Sequence, residues 1–323
     1  MVAASFSRAT LTLLLPTMNI SLAIILGLTG AISWGAADFA ARFASRQVGA
    51  YRTLFFMQFF GFLALSVYLK STGGFSHGIA PGWRPWAMAV AAGVLNMLAS
   101  LALYHSFEHG TMSIVGPVSS SYPALTVALS LLSGERIHAV RATGLGVTLL
   151  GIILAATSFV QSKTTQAEKV LDSATASRGE TSRAHLSTGI GWAMCAALGF
   201  GVLFWFLGFH VVPAVGSAVS VWVMRLTALI ALSVAAAPTR QTLKLPRGSV
   251  WWLLLAVGIL DTAAFVANNA GLSTGQVSVV SVLASLYGAF TVLLAWIFLR
   301  ERLERSQWLG IVLIFIGIVL VST

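Results

Sequence analysis

Three ionisable residues stand where an ionisable residue is costly. Arg225 and Asp261 each lie mid-way along an apolar stretch long enough to cross a bilayer, and Asp38 lies in the last turns of another. A charge at the bilayer centre costs at least ~2.5 to 3.5 kcal/mol on insertion scales, so a charge found there points to handling of a substrate, an ion or a proton. Burial moves a carboxylate towards exchanging protons near neutrality, and a neighbouring guanidinium opposes this. Two assignments follow. If Arg225 pairs with Asp261, Asp38 is the proton carrier. If they do not pair, Asp261 carries the proton and Arg225 binds a substrate carboxylate. The plainer alternatives are a structural Arg225–Asp261 pair and an Asp38 that holds its helix end through Arg42, four residues on.

Polar and aromatic residues at helical spacing gather around these charges, since residues about four apart share a helix face. On the eighth stretch Asp261, Phe265 and Asn268 form a stripe with Asn269 at its edge, and on the third Asn96, Ser100 and Tyr104 form its counterpart. Ser119, Tyr122 and Thr126 line up on the fourth, with Ser120 beside them, and Ser281 and Ser285 on the ninth, followed by Tyr287. Trp34 sits one turn from Asp38, and Trp222 one turn from Arg225. Such convergence is what a selective site for a small polar ligand requires. The same hydroxyls and amides can also bond one another between helices.

The elements that position these residues are apolar helices. Hydrophobic residues make up 57% of the chain, charged residues only 9%, and the mean hydropathy is +0.89, outside the range of soluble domains. Ten stretches approach the ~20 residues a spanning helix needs: Ile20 to Ala41, Thr53 to Leu69, Trp86 to Tyr104, Ser113 to Leu132, Val140 to Val160, Gly189 to Val211, Ser217 to Ala237, Val250 to Gly271, Val277 to Leu299 and Gln307 to Val321. A disordered leader is expected over 1–18 and a polar linker over 161–187, between units at 19–160 and 188–323.

The second unit repeats the first. At an offset of 165, Gly93 falls on Gly258, Asn96 on Asp261, Ser120 on Ser285 and Tyr122 on Tyr287, and at 166, Trp34-Gly35 falls on Phe200-Gly201 and Asp38 on Phe204. Gln58 falls on Arg225 at 167. A polar cavity on the axis relating the copies, charged in one and neutral in the other, would produce this pattern. Five spans per copy force the second to enter from the opposite side, giving the inverted repeats frequent among secondary transporters. Pro117 and Pro123 become Val282 and Gly288 in the second copy, which predicts a helix break in the fourth span alone. Gly144 and Gly151, like Gly310 and Gly317, are seven apart on one face and read as close packing of the fifth and tenth spans, against each other or in a homodimer.

Trp34-Gly35, the run Gly110 to Pro123, and the Gly134-Glu135-Arg136 and Arg300-Glu301-Arg302 triplets that close the fourth and ninth spans identify the resemblance. The chain resembles the drug/metabolite transporter superfamily in its ten-helix form with two EamA-type domains. The resemblance implies an all-α membrane protein that carries a small molecule, and it leaves the substrate open among amino acids, sugars, nucleotides and drugs. The Glu-Arg pairs are expected to fix helix ends.

Several function classes fall away. The net charge of +10 suggests nucleic acid, but 18 of 19 Lys and Arg lie in loops or near span ends, where a membrane protein places them. With the termini outside the cytoplasm, 13 basic residues lie inside and 5 outside, although the first copy alone prefers the reverse, 5 against 3. Gly271-Leu272-Ser273-Thr274-Gly275 matches GxSxG by letter but lacks the strand that a nucleophile elbow needs. The single Cys195 excludes an internal disulfide, no His or acid spacing suits a metal, and no phosphate loop points to ATP. No cofactor is expected. The reading is a proton-coupled exporter of a small polar metabolite or amphipathic drug in a bacterial inner membrane, with a channel, or less readily an embedded enzyme or sensor, as the rival.

Overall fold

The protein is described by a computed structural model over residues 2–74, 82–109, 118–151, 154, 179–246, 248–299, 309–310, 312–313, 316–317 and 319–320, with 2–18, 108–109, 179–188, 190, 292, 295–296 and 299 described by their backbone alone. Every regular element among these residues is helical: α1 Val2–Val48, α2 Ala50–Ser71, α3 Arg84–His109, α4 Pro123–Leu132, α5 Ala139–Gly151, α6 Gly179–Phe206, α7 Ser217–Ala236, α8 Val250–Leu272, α9 Val277–Ala284 and α10 Tyr287–Leu299. α6 continues through a π-helical turn at Leu207–Val211 into Val212–Val215. Pro213 has no N–H to give the preceding turn, which favours such a widening. Leu22, Leu63, Leu98, Leu198, Ile230 and Val234 are exposed on the outer faces, as expected of helices whose solvent is lipid.

Six helices are long and apolar enough to span: Asn19–Val48, Ala50–Ser71, Arg84–Phe107, Gly191–Val215, Ser217–Ala236 and Val250–Leu272. They correspond to the first, second, third, sixth, seventh and eighth of the ten predicted spans. The other four are not seen as single long helices. The fifth is described as the 13-residue α5, and the tenth, like the polar stretch 155–178, lies largely outside the described residues. α1 is helical from Val2, where the sequence leads us to expect a disordered leader, and α6 starts at Gly179, inside the expected linker. In both cases the helix propagates outward from a span, and extending a helix is easier than starting one.

The fourth and ninth spans are both broken. Pro123 opens α4 after a turn at Ser120 to Tyr122. In the ninth, α9 ends at Ala284 and α10 begins at Tyr287, with the Leu286 N–H bonding the Leu283 carbonyl at 3.2 Å and Ser285 Oγ donating to the Val282 carbonyl at 2.7 Å. The expected one-sided break is therefore wrong. A tightened turn of i→i−3 bonds and a serine that bonds its own backbone do in the second copy what proline does in the first.

The packing repeats when the halves are exchanged. α1 lies on α8 as α6 lies on α3; α2 lies on α8 as α7 lies on α3; α10 lies on α1 as α4 lies on α6. Gly35 and Gly201 show why this needs glycine. A Cβ on Gly35 would come within 2.6 Å of Phe290 Cβ and 3.0 Å of the Tyr287 carbonyl, and one on Gly201 within 2.9 Å of Leu125 Cβ and 3.0 Å of the Tyr122 carbonyl. Thr291 and Thr126 then donate to the Gly35 and Gly201 carbonyls at 3.3 and 2.9 Å. Each broken span is thus pressed at its tyrosine against the first helix of the opposite half. A Cβ on Gly317 would run into Thr148 Oγ1 and come within 2.8 Å of the Gly144 carbonyl, so the tenth span packs on the fifth at this point within one chain.

Candidate functional site

Two pairs of repeat-equivalent residues meet where the halves meet. Arg225 Nη1 donates to Gln58 Oε1 at 2.7 Å, and the rings of Tyr122 and Tyr287 stack at 6.5 Å with an interplanar angle of 14°. Each pair lies where an axis exchanging the halves must pass. Beside them is a cavity of about 430 Å³, counted out to its mouth. α1 contributes Trp34 and Asp38, and α8 contributes Asp261 and Phe265. α3 supplies Ser100, Leu103 and Tyr104, α6 supplies Phe200 and Phe204, and the two breaks supply Tyr122 and Tyr287.

Arg225 is 1% exposed and forms an ion pair with Asp261 through Nη2. The other oxygen of Asp261 accepts the Trp34 indole N–H at 3.1 Å, and the guanidinium lies 5.2 Å from the Phe265 ring centre. A buried charge is tolerable when paired and hydrogen-bonded in this way. The first of the two assignments drawn from the sequence therefore holds for the pairing. Arg225 stands behind Asp261 and is not on the cavity wall. Asp38 is 7% exposed, lies on the wall, and has no hydrogen bond or ion pair among the described residues, so its expected pairing with Arg42 is not seen.

The remaining sequence candidates divide. Trp34, Ser100, Tyr104, Tyr122, Phe265 and Tyr287 line the cavity with Asp38 and Asp261. The three tyrosines already donate: Tyr104 to Met57 Sδ at 3.0 Å, Tyr122 to the Ser281 carbonyl at 3.1 Å and Tyr287 to Ser119 Oγ at 3.1 Å. Trp222 points elsewhere, donating to Ser66 Oγ at 2.8 Å. Asn269 donates to Ser220 Oγ at 3.0 Å, and Ser285 serves the break. Asn96, Ser120 and Asn268 are buried but off the wall, and both amide atoms of Asn268 lack a partner among the described residues. Phe200, Phe204 and Leu103 were missed. Phe200 and Phe204 are the repeat equivalents of Trp34 and Asp38, and that alignment was the available signal.

Two other motifs resolve. Glu135 does fix a helix end, but in the other copy: its carboxylate accepts the Ser278 N–H at 3.1 and 3.2 Å and the Ser278 hydroxyl at 2.7 Å, at the start of α9. A carboxylate there satisfies an unpaired backbone donor and meets the positive end of the helix. Glu301 lies outside the described residues. Ser273 of the GxSxG run sits in the turn between α8 and α9, donating to the Ala270 carbonyl at 2.7 Å. Among the described residues no group of three His, Cys, Asp or Glu could hold a metal.

Comparison with known proteins gives this geometry a family. An uncharacterized protein of Methanocaldococcus jannaschii is 32% identical over 133 residues, which is 41% of this chain and 94% of that one. A crystal structure matches with a TM-score of 0.70 at 19% identity, covering 93% of this chain and 97% of the other, which is a likeness of fold alone. The EamA-like transporter family matches residues 21–157 and again 187–323. With two such repeats covering most of its length, this multi-pass membrane protein belongs to the EamA-like transporter family of the drug/metabolite transporter superfamily.

Proposed function

We propose that the protein is a secondary active transporter that exports a small substrate, an amino acid or an amphipathic drug, by alternating access coupled to protons. The observation that carries this reading is Asp38, a buried carboxylate on the wall of a cavity where the halves meet, with no ion-pair partner among the described residues. The charge that only needs to be tolerated in the membrane, Arg225, is already neutralised by Asp261. Asp38 is the carboxylate left to exchange a proton.

Alternating access follows from the repeat. If each half crosses the membrane five times, the halves lie antiparallel, and a site on the axis between them has equivalent paths to both sides. Rocking one half against the other then opens one path as it closes the other. The excess of basic residues in one set of loops supports termini outside the cytoplasm of a bacterial inner membrane.

The test is proton movement in proteoliposomes that enclose a pH-sensitive dye, with amino acids and organic amines added across an imposed pH gradient. The expected flux is substrate-dependent, saturable, accelerated by preloaded substrate and absent in Asp38→Asn. An undiminished flux in Asp38→Asn removes the proton assignment. A non-saturable flux indifferent to preloading replaces the carrier with a channel.

A further inference from the structure

We infer that the cavity selects an organic cation: a quaternary or protonated ammonium group attached to an aromatic or aliphatic body. This rests on the transporter reading and narrows it to one substrate class. Charge comes first. Among the described residues the wall carries two carboxylates and no basic side chain. Asp261 is neutralised from behind by Arg225, so the uncompensated charge, once Asp38 has released its proton, is that of Asp38. A carboxylate ligand would enter a site of its own sign, with the guanidinium already held by Asp261 and Gln58.

Hydrogen bonding points the same way. A carboxylate or a sugar needs donors, and here the Trp34 N–H and the Tyr104, Tyr122 and Tyr287 hydroxyls are already given to protein acceptors. What the wall offers freely is aromatic surface, one anion and a single hydroxyl, that of Ser100, too few donors to hold a carboxylate or a sugar. Ring faces attract cations electrostatically, and aromatic cages of this kind suit ammonium groups that make no hydrogen bonds.

The cavity also has two unlike sides. Trp34 and Asp38 on α1 face a ligand from the polar side, and their repeat equivalents Phe200 and Phe204 present only hydrocarbon. The ammonium group belongs beside Asp38 and the body against Phe200 and Phe204.

The experiment uses the purified full chain in detergent, with benzyltrimethylammonium as cation, phenylacetate as anion and phenylalanine as zwitterion, read by unfolding midpoint and by calorimetric titration. Benzyltrimethylammonium is expected to raise the midpoint by mass action, and its affinity to fall about tenfold in Asp38→Asn and severalfold in Phe204→Leu. Phenylacetate is expected to leave the midpoint unchanged. The inference is overturned if phenylacetate or phenylalanine binds as tightly as the cation, or if the cation binds both variants as it binds the parent. Flux in vesicles separates the two claims. A cation that binds as expected but is not moved sustains the site and defeats the transporter; a moved anion sustains the transporter and defeats the cation site.

Discussion

At equivalent positions the two halves are built from the same backbone and different chemistry. The first places Gln58 and Asn96 where the second places Arg225 and Asp261. The accompanying residues change in step: Asp261 accepts an indole N–H from Trp34 of the opposite half, whereas Asn96 faces a half in which Trp34's equivalent is Phe200, with no donor to give. A symmetric scaffold thus carries an asymmetric site, with an acidic wall from α1 and α8 and an apolar wall from α6. On the proposed function, the symmetry in packing would serve two-sided access and the asymmetry in side chains would decide what is bound.

The sharpest way to break this comparison is to strip one partner from the charged half. Arg225→Leu leaves Asp261 buried with only the Trp34 N–H, and removing one member of a buried pair costs about 3 to 5 kcal/mol. A large drop in unfolding midpoint is expected. Arg225→Gln combined with Asp261→Asn copies the first half and should regain most of that loss. If the double variant is no more stable than Arg225→Leu, the equivalence of the halves fails.

A smaller effect tests the shared packing. Gly35→Ala and Gly201→Ala each force a methyl group into the broken span opposite, at an expected cost of about 1 to 3 kcal/mol. Gly35→Ala should cost more, since its Cβ would lie at 2.6 Å from its nearest neighbour and that of Gly201 at 2.9 Å. Unfolding midpoints of the two variants check the order.

Tyr122→Phe and Tyr287→Phe remove one hydrogen bond each, worth about 0.5 to 1.5 kcal/mol. Tyr122→Phe orphans a backbone carbonyl of a helix that can still bond within itself, and Tyr287→Phe frees a serine hydroxyl that can turn to another acceptor. Similar small shifts in midpoint are expected for both.

The subtlest effect is one of pH. Burial pushes the Glu135 carboxyl above its ordinary value, more than its hydrogen bonds to Ser278 lower it. A raised folded-state pKa means that this group's contribution to stability is fully present below the ordinary carboxylate range and is lost as pH rises through the raised value. Glu135→Gln should flatten that part of the stability profile measured by unfolding across pH.

What could be read from the sequence followed from cost. Arg225, Asp261 and Asp38 stand out because charge in hydrocarbon is expensive, and the repeat alignment brought Gln58 and Arg225 together before any geometry was known. Phe200 and Phe204 were hidden because an aromatic ring in an apolar span looks the same whether it packs against helix or lines a cavity. The second helix break was hidden because proline was the signal sought, and the ninth span breaks through Ser285 and a short i→i−3 turn instead. Glu135 was legible as a helix-end residue, but that the end belonged to the other copy depends on tertiary packing that local spacing does not encode.

The most direct test of the central claim, that the cavity between the halves is reached alternately from both sides, is thiol labelling of Ser100→Cys in a Cys195→Ala background. Sealed vesicles of each orientation are treated with a membrane-impermeant reagent. The account predicts labelling from either side, with a transmembrane proton gradient shifting the balance between them and benzyltrimethylammonium slowing both. Labelling from one side only, whatever the gradient, would contradict it.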